Sequence, residues 1–205
     1  MDRPKIPFLN FRRENMTKFN ININTGMHSI EELDYYYSLL ESMKLDLEEE
    51  EKKDYLKLSY LLICAATLEY TLNSIYIMHV NLKYDAESNK EIAECFVGQN
   101  FKTKLQIAPV IISDNKFKFR KDNNIIKSLN ELILKRNKIL HNKSYFTQLN
   151  MNNDGTFEIK SDLVSKIDKK KCLEFGNALK IYLDDFIFPS RNNSLKENDL
   201  LVKIL

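Results

Sequence analysis

Residues 58–76 read LSYLLICAATLEYTLNSIY, and this stretch decides the fold. Leu58, Leu61, Leu62, Ala65, Leu68, Leu72, Ile75 and Tyr76 recur at three- and four-residue intervals, the period of an α-helix. Ile63, Cys64 and Ile77 fall outside that stripe, so the helix is apolar most of the way round. Such a helix is covered on several sides, which makes it the centre of a bundle. Its pattern runs over roughly 52–81.

Helical spacing continues on both sides. Upstream, Ser29 and Glu32 form an S-x-x-E capping box ahead of Ile30, Leu33, Tyr37, Leu40 and Leu47. The acidic run Glu48–Glu51 reads as the solvated link to the central helix. Downstream, a second box, Ser88 with Glu91, predicts a short helix containing Ile92, Cys95 and Phe96. Another follows from about Asn100 to Pro109 or a little beyond, with Pro109 expected to break or kink it. Asp122 or Asn123 then caps a helix reaching about Leu140. A last one runs from about Asp168 to Ile187, stopped by Pro189. Residues 145–160 differ, with Asn152-Asn153-Asp154-Gly155 between two β-prone runs, a hairpin signal. The predicted fold class is all-α, an up-and-down helical bundle with a small late β-hairpin insertion. Residues 1–28 form an arm, 29–189 the bundle and 190–205 a tail. The apolar end of that tail, Leu200, Leu201, Val202, Ile204 and Leu205, is expected to dock on a partner or on the body.

Composition agrees. The chain has 205 residues, 43% of them apolar, and only four Gly and four Pro, too few for a many-turned β-sandwich or a Gly-rich phosphate loop. The formal charge is +2, which excludes nucleic-acid coating by bulk charge and leaves that task to a local patch. Cys64, Cys95 and Cys172 are odd in number and widely spaced, which predicts free thiols and neither a disulfide framework nor a zinc site. No metal and no other cofactor is expected. The N-terminus lacks the apolar core of a signal peptide, and the longest apolar run, Leu61–Leu68, is too short to span a bilayer. The reading is a soluble, cytoplasmic protein with no membrane partner.

Two charges break the apolar pattern. On a helical wheel Arg136 lies about 20° from Ile125, inside the stripe of Leu129, Leu132 and Leu140. A guanidinium there must be paired or given a polar notch. Glu69 sits four residues after Ala65 and three before Leu72, beside the central stripe. An inward carboxylate and an inward Arg predict an ion pair between the two helices. Asn137 follows Arg136, and His141 shares its face at i, i+4. Arg136 and His141 are about 140° apart on a straight helix. They meet only where the helix ends or tightens near Leu140, or where a second subunit contributes.

The segment Arg136-Asn137-Lys138-Ile139-Leu140-His141 resembles the R-x(4–6)-H signature of the HEPN superfamily, including the polar residue after the Arg. Residues 65–73, AATLEYTLN, look like the earlier family helix that brings a polar side chain to that Arg. The resemblance covers roughly residues 29–187. It implies a helical ribonuclease of toxin–antitoxin or antiviral defence systems, acting as a two-fold homodimer without metal and leaving 2′,3′-cyclic phosphate ends. It further implies a general acid or base at His141, a phosphate clamp at Arg136, an orienting role for Asn137, and Glu69 as the group that holds Arg136. The family's partner proteins, an antitoxin or a defence-system subunit, come with it. Some family toxins carry a modifiable Tyr two residues after the His; here that residue is Lys143. Lys116, Lys118, Arg120, Lys138 and Lys143 are the candidate RNA-binding residues, with Phe117 and Phe119 either stacking on bases or tucked into the core. The competing reading is a non-catalytic module of the same fold that binds RNA, a nucleotide or a protein.

Overall fold

The computed structural model describes residues 23–49, 54–140, 148–151, 157–160 and 168–204. The fold is all-α. Six helices, α1 (Ile23–Glu49), α2 (Asp54–Lys83), α3 (Ala86–Val97), α4 (Phe101–Ile112), α5 (Asn124–Leu140) and α6 (Lys169–Tyr182), carry the core. A π-helical turn, Leu183–Ile187, and a one-turn α7, Phe188–Arg191, extend the last of them. α2 is central, packing against α1, α3, α4, α5 and α6. The links from α2 to α3 and from α3 to α4 are only two and three residues long, so these helices fold back on one another.

Leu61, Cys64, Ala65, Leu68, Leu72, Ile75 and Tyr76 of α2 are all fully buried. Burying one such Leu or Ile contributes about 1.5–3 kcal/mol. Cys64 lies off the expected stripe yet is inaccessible, because α6 packs on α2 there and brings Cys172 near it. Cys95 is exposed, and all three thiols are free. Burial pushes the Cys172 thiol up to about 11. By length and composition α2 is also apolar enough to cross a membrane, which a reading of uninterrupted runs misses. Half of that stretch is buried inside the protein, as suits a core helix.

Several boundaries differ from expectation. The first 22 residues of the expected arm lie outside the described residues, as do Glu50 and Glu51 of the acidic run. α1 already begins at Ile23, so Ser29 falls inside the helix and does not open it. Likewise α3 starts at Ala86, with Asp85 at the N-cap and Ser88 within its first turn. An S-x-x-E pattern is tolerated in a helix interior, so it does not by itself mark a start. Pro109 leaves α4 unbroken, though the helix does end a little beyond it, at Ile112, as expected. Pro189 sits inside α7; the π turn before it shifts the hydrogen-bond register that the ring would otherwise obstruct. The Asn123 cap is present, its Oδ1 accepting from the N–H groups of Ile125 (2.8 Å) and Ile126 (3.2 Å). Asp168 caps α6 at 2.6 Å through Lys171 N–H.

β2 (Gln148–Met151) and β3 (Phe157–Lys160) pair antiparallel, with Gln148 opposite Lys160 and Met151 opposite Phe157. This is the expected hairpin; its connecting Asn152–Gly155 turn lies outside the described residues. A second pair was not anticipated. β1 (Phe117–Phe119) pairs with β4 (Leu201–Lys203), and Leu200 and Leu201 are buried in the core. The tail therefore docks on the body. Asn198 is its anchor. Its Oδ1 accepts from Leu200 N–H at 2.9 Å and Leu201 N–H at 2.8 Å, and its Nδ2 donates to the Asp185 carbonyl at 2.9 Å. Asn198→Ala strips these partners at once and is expected to cost about 1–2 kcal/mol, measured as a lower urea midpoint with unchanged slope.

With so few glycines, left-handed turns fall to Asp and Asn. Asp114, Asn115, Asp122 and Asn193 all take positive φ, a conformation their short polar side chains tolerate. Lys83 at the end of α2 pairs with Asp114 and ties down the first of these turns.

Candidate functional site

The site grows from the meeting of α2, α4 and α5. Arg136 lies one turn before the end of α5, and its Nη2 donates to Glu69 Oε2 at 3.1 Å. The ion pair expected from the two apolar stripes is therefore present. It is half-buried, the Arg136 side chain being 23% exposed and that of Glu69 32%. Arg136 Nη1 donates to Asn137 Oδ1 at 3.0 Å. The guanidinium also lies over the Phe101 ring at the start of α4, 5.9 Å from its centroid, a cation–π contact.

A third charge stands behind this pair, one the sequence reading did not single out. Lys104 of α4 is 2% exposed. Its ammonium donates to Asn73 Oδ1 at 2.7 Å and to the Val97 carbonyl at 3.1 Å, and lies 3.7 Å from Glu69 Oε1. Each partner has a local cause. Asn73 is one turn after Glu69 on α2, so both face α4. Val97 is the last residue of α3, where carbonyls lack helical partners and the dipole favours a cation. Burial lowers the Lys104 pKa, and the Glu69 carboxylate opposes that shift. Tyr76 Oη donates to the Lys104 carbonyl at 2.8 Å and stacks on Phe96 at 5.2 Å, which locks α4 and α3 onto α2.

The cluster thus holds two cations and one carboxylate, with one oxygen of Glu69 turned to each cation. Of the five N–H donors of a guanidinium, Arg136 uses two on described residues. The remaining three, beside a surplus positive charge, suit an oxyanion.

His141 and Lys143 lie outside the described residues; His141 follows directly on Leu140, the last residue of α5. Lys138 is exposed on α5. Lys116, Lys118 and Arg120 are exposed too, but on and beside β1, at the far end of α4 from Phe101. Twelve residues of helix separate the two places by about 18 Å. Arg120 is engaged, its Nε donating to the Asn198 carbonyl at 2.9 Å and its Nη2 pairing with Glu197 at 3.3 Å. Phe117 is buried, and Phe119 packs on Tyr182 and Phe186. The alternation of Phe with Lys is that of a strand with one face in the core, so neither ring is offered to a base. His79 of α2 is half-buried, near Lys83 and the Asp114 turn, and more than two turns beyond Glu69. Among the described residues no three His, Cys, Asp or Glu side chains gather as a metal-binding group.

No family model, curated protein or solved structure matches the chain.

Proposed function

We propose that the protein is a metal-independent endoribonuclease of the HEPN type. It acts in the cytoplasm as a homodimer, as the toxin or effector of a prokaryotic defence or toxin–antitoxin system with its own partner protein. The observation that carries this reading is the Arg136–Glu69 pair near the end of α5, in which Arg136 spends two of its five donors on described residues; His141 follows Leu140 in the sequence.

In the proposed reaction a ribose 2′-hydroxyl attacks the adjacent phosphorus. His141 takes the hydroxyl proton or returns one to the leaving 5′-oxygen, a task for a side chain whose ordinary pKa is near neutrality. Arg136 donates to the phosphoryl oxygens as negative charge builds on them. Glu69 fixes the direction of the fork. Asn137 presents its carbonyl oxygen to Arg136, so in this arrangement it orients the clamp, leaving its NH₂ group for a phosphate oxygen. Lys138 and Lys143, close to the motif in sequence, serve the local RNA contact better than Lys116, Lys118 and Arg120.

Total RNA incubated with the purified protein in EDTA tests the proposal. Cleavage by wild type that is lost in both His141→Ala and Arg136→Ala is expected. Cleavage that persists in either folded variant argues against the assigned roles. RNA binding without cleavage favours the non-catalytic module.

A further inference from the structure

We infer that Lys104 is a positioning residue for the Arg136 clamp, acting through Glu69 to aim the guanidinium and to keep the cluster one positive charge in surplus for a phosphate oxyanion. The inference rests on the reading of Arg136 as a phosphate ligand and adds a residue that the R-x(4–6)-H motif does not contain.

Three observations carry it. First, Lys104 is inside the protein, where an ammonium is costly unless each of its donors finds a partner. Asn73 and the Val97 carbonyl supply two hydrogen bonds, and Glu69 supplies the countercharge. Second, Glu69 is shared. Oε1 faces Lys104 and Oε2 faces Arg136, so the carboxylate meets the guanidinium through one oxygen only. A carboxylate with no second cation turns to the bidentate, two-oxygen geometry that a guanidinium favours, and this would take a further Arg136 donor away from the substrate. Third, the charges do not cancel. Two cations and one carboxylate leave the cluster at +1, and deleting the Lys104 charge makes it neutral. Lys104 is too enclosed to touch RNA itself, so its effect passes through Glu69 and the local field.

The test separates charge from architecture. Lys104→Gln removes the charge and keeps a hydrogen-bonding side chain toward Val97 and Asn73. Glu69→Gln does the reverse, raising the surplus to +2. Inorganic phosphate is titrated into each folded protein while the Arg136 Nε–H resonance is followed by NMR, and kcat and KM for RNA are measured in EDTA. Lys104→Gln is expected to weaken phosphate binding at least about tenfold. Glu69→Gln is expected to tighten phosphate binding while kcat falls, because charge is gained and aim is lost. The double variant, back at +1, is expected to recover most of the wild-type phosphate affinity. Phosphate binding equal in wild type and Lys104→Gln overturns the inference. So does weakening of the same sign in both single variants, which is what a merely structural role produces. Should Lys104→Gln not fold, the opposite movements of phosphate affinity and kcat in Glu69→Gln decide alone. Wild-type protein whose Arg136 does not respond to phosphate, and which cleaves no RNA, sinks the clamp itself.

Discussion

Arg136→Ala is expected to lower the single-turnover rate of RNA cleavage by about 10²–10³-fold, the usual loss when one preorganised donor to a developing oxyanion is removed. The fold should survive the change. Glu69 is not orphaned, since Lys104 stays within 3.7 Å of its other oxygen. Removing Arg136 also takes the cluster from +1 to neutral, so KM should rise as kcat falls. Arg136→Lys should recover little, because an ammonium cannot serve Glu69, Asn137 and a phosphate at once as a planar fork does. A thermal melt run beside the kinetics separates the two effects. A matching melting temperature with lost activity is the expected pattern, whereas unimpaired cleavage would leave Arg136 as a packing residue.

The second large effect concerns the fold. α6 crosses α2 at Gly176, and a Cβ built there lands inside contact distance of the Tyr60 hydroxyl, with Tyr60 Cζ at 3.0 Å. Tyr60 is 3% exposed, wedged between α2 and α6 beside Cys64, and burial pushes its hydroxyl pKa far up. A phenol so enclosed has little room to retreat. Gly176→Ala should therefore destabilise by about 1–3 kcal/mol, against the usual gain from replacing a helical glycine. Tyr60→Phe removes the atom in closest conflict, so the same Gly176→Ala change should cost clearly less in that background. Chemical denaturation of the four proteins of this cycle measures the coupling. Independent, additive effects would contradict the proposed close approach.

What could be read from the chain was what depends on local period. The α2 stripe and the Glu69–Arg136 pair follow from residues placed at i, i+3 and i+4, and the Asn123 cap from a short polar side chain just ahead of such a run. Lys104 obeys the same rule. Phe101, Lys104, Leu105 and Ala108 stand at helical intervals, and the wheel that exposed Arg136 exposes Lys104 when applied to α4. The β1–β4 ribbon is another matter. Phe119 pairs with Leu201 across most of the second half of the chain, and two three-residue strands carry no local signal of each other. Composition hid it as well, since KFKFRK reads equally as a basic patch and as a strand with one buried face. The π turn at Leu183–Ile187 likewise has no counterpart in the residue pattern read from the chain.

The most direct test uses one short oligoribonucleotide cut by the protein, and its twin with a single 2′-deoxyribose at the cleaved position, both in EDTA. Attack by the 2′-hydroxyl predicts a 2′,3′-cyclic phosphate and a free 5′-hydroxyl from the first strand, and an intact second strand. Equal cleavage of both strands, or no cleavage of any RNA by folded wild-type protein, would contradict the account.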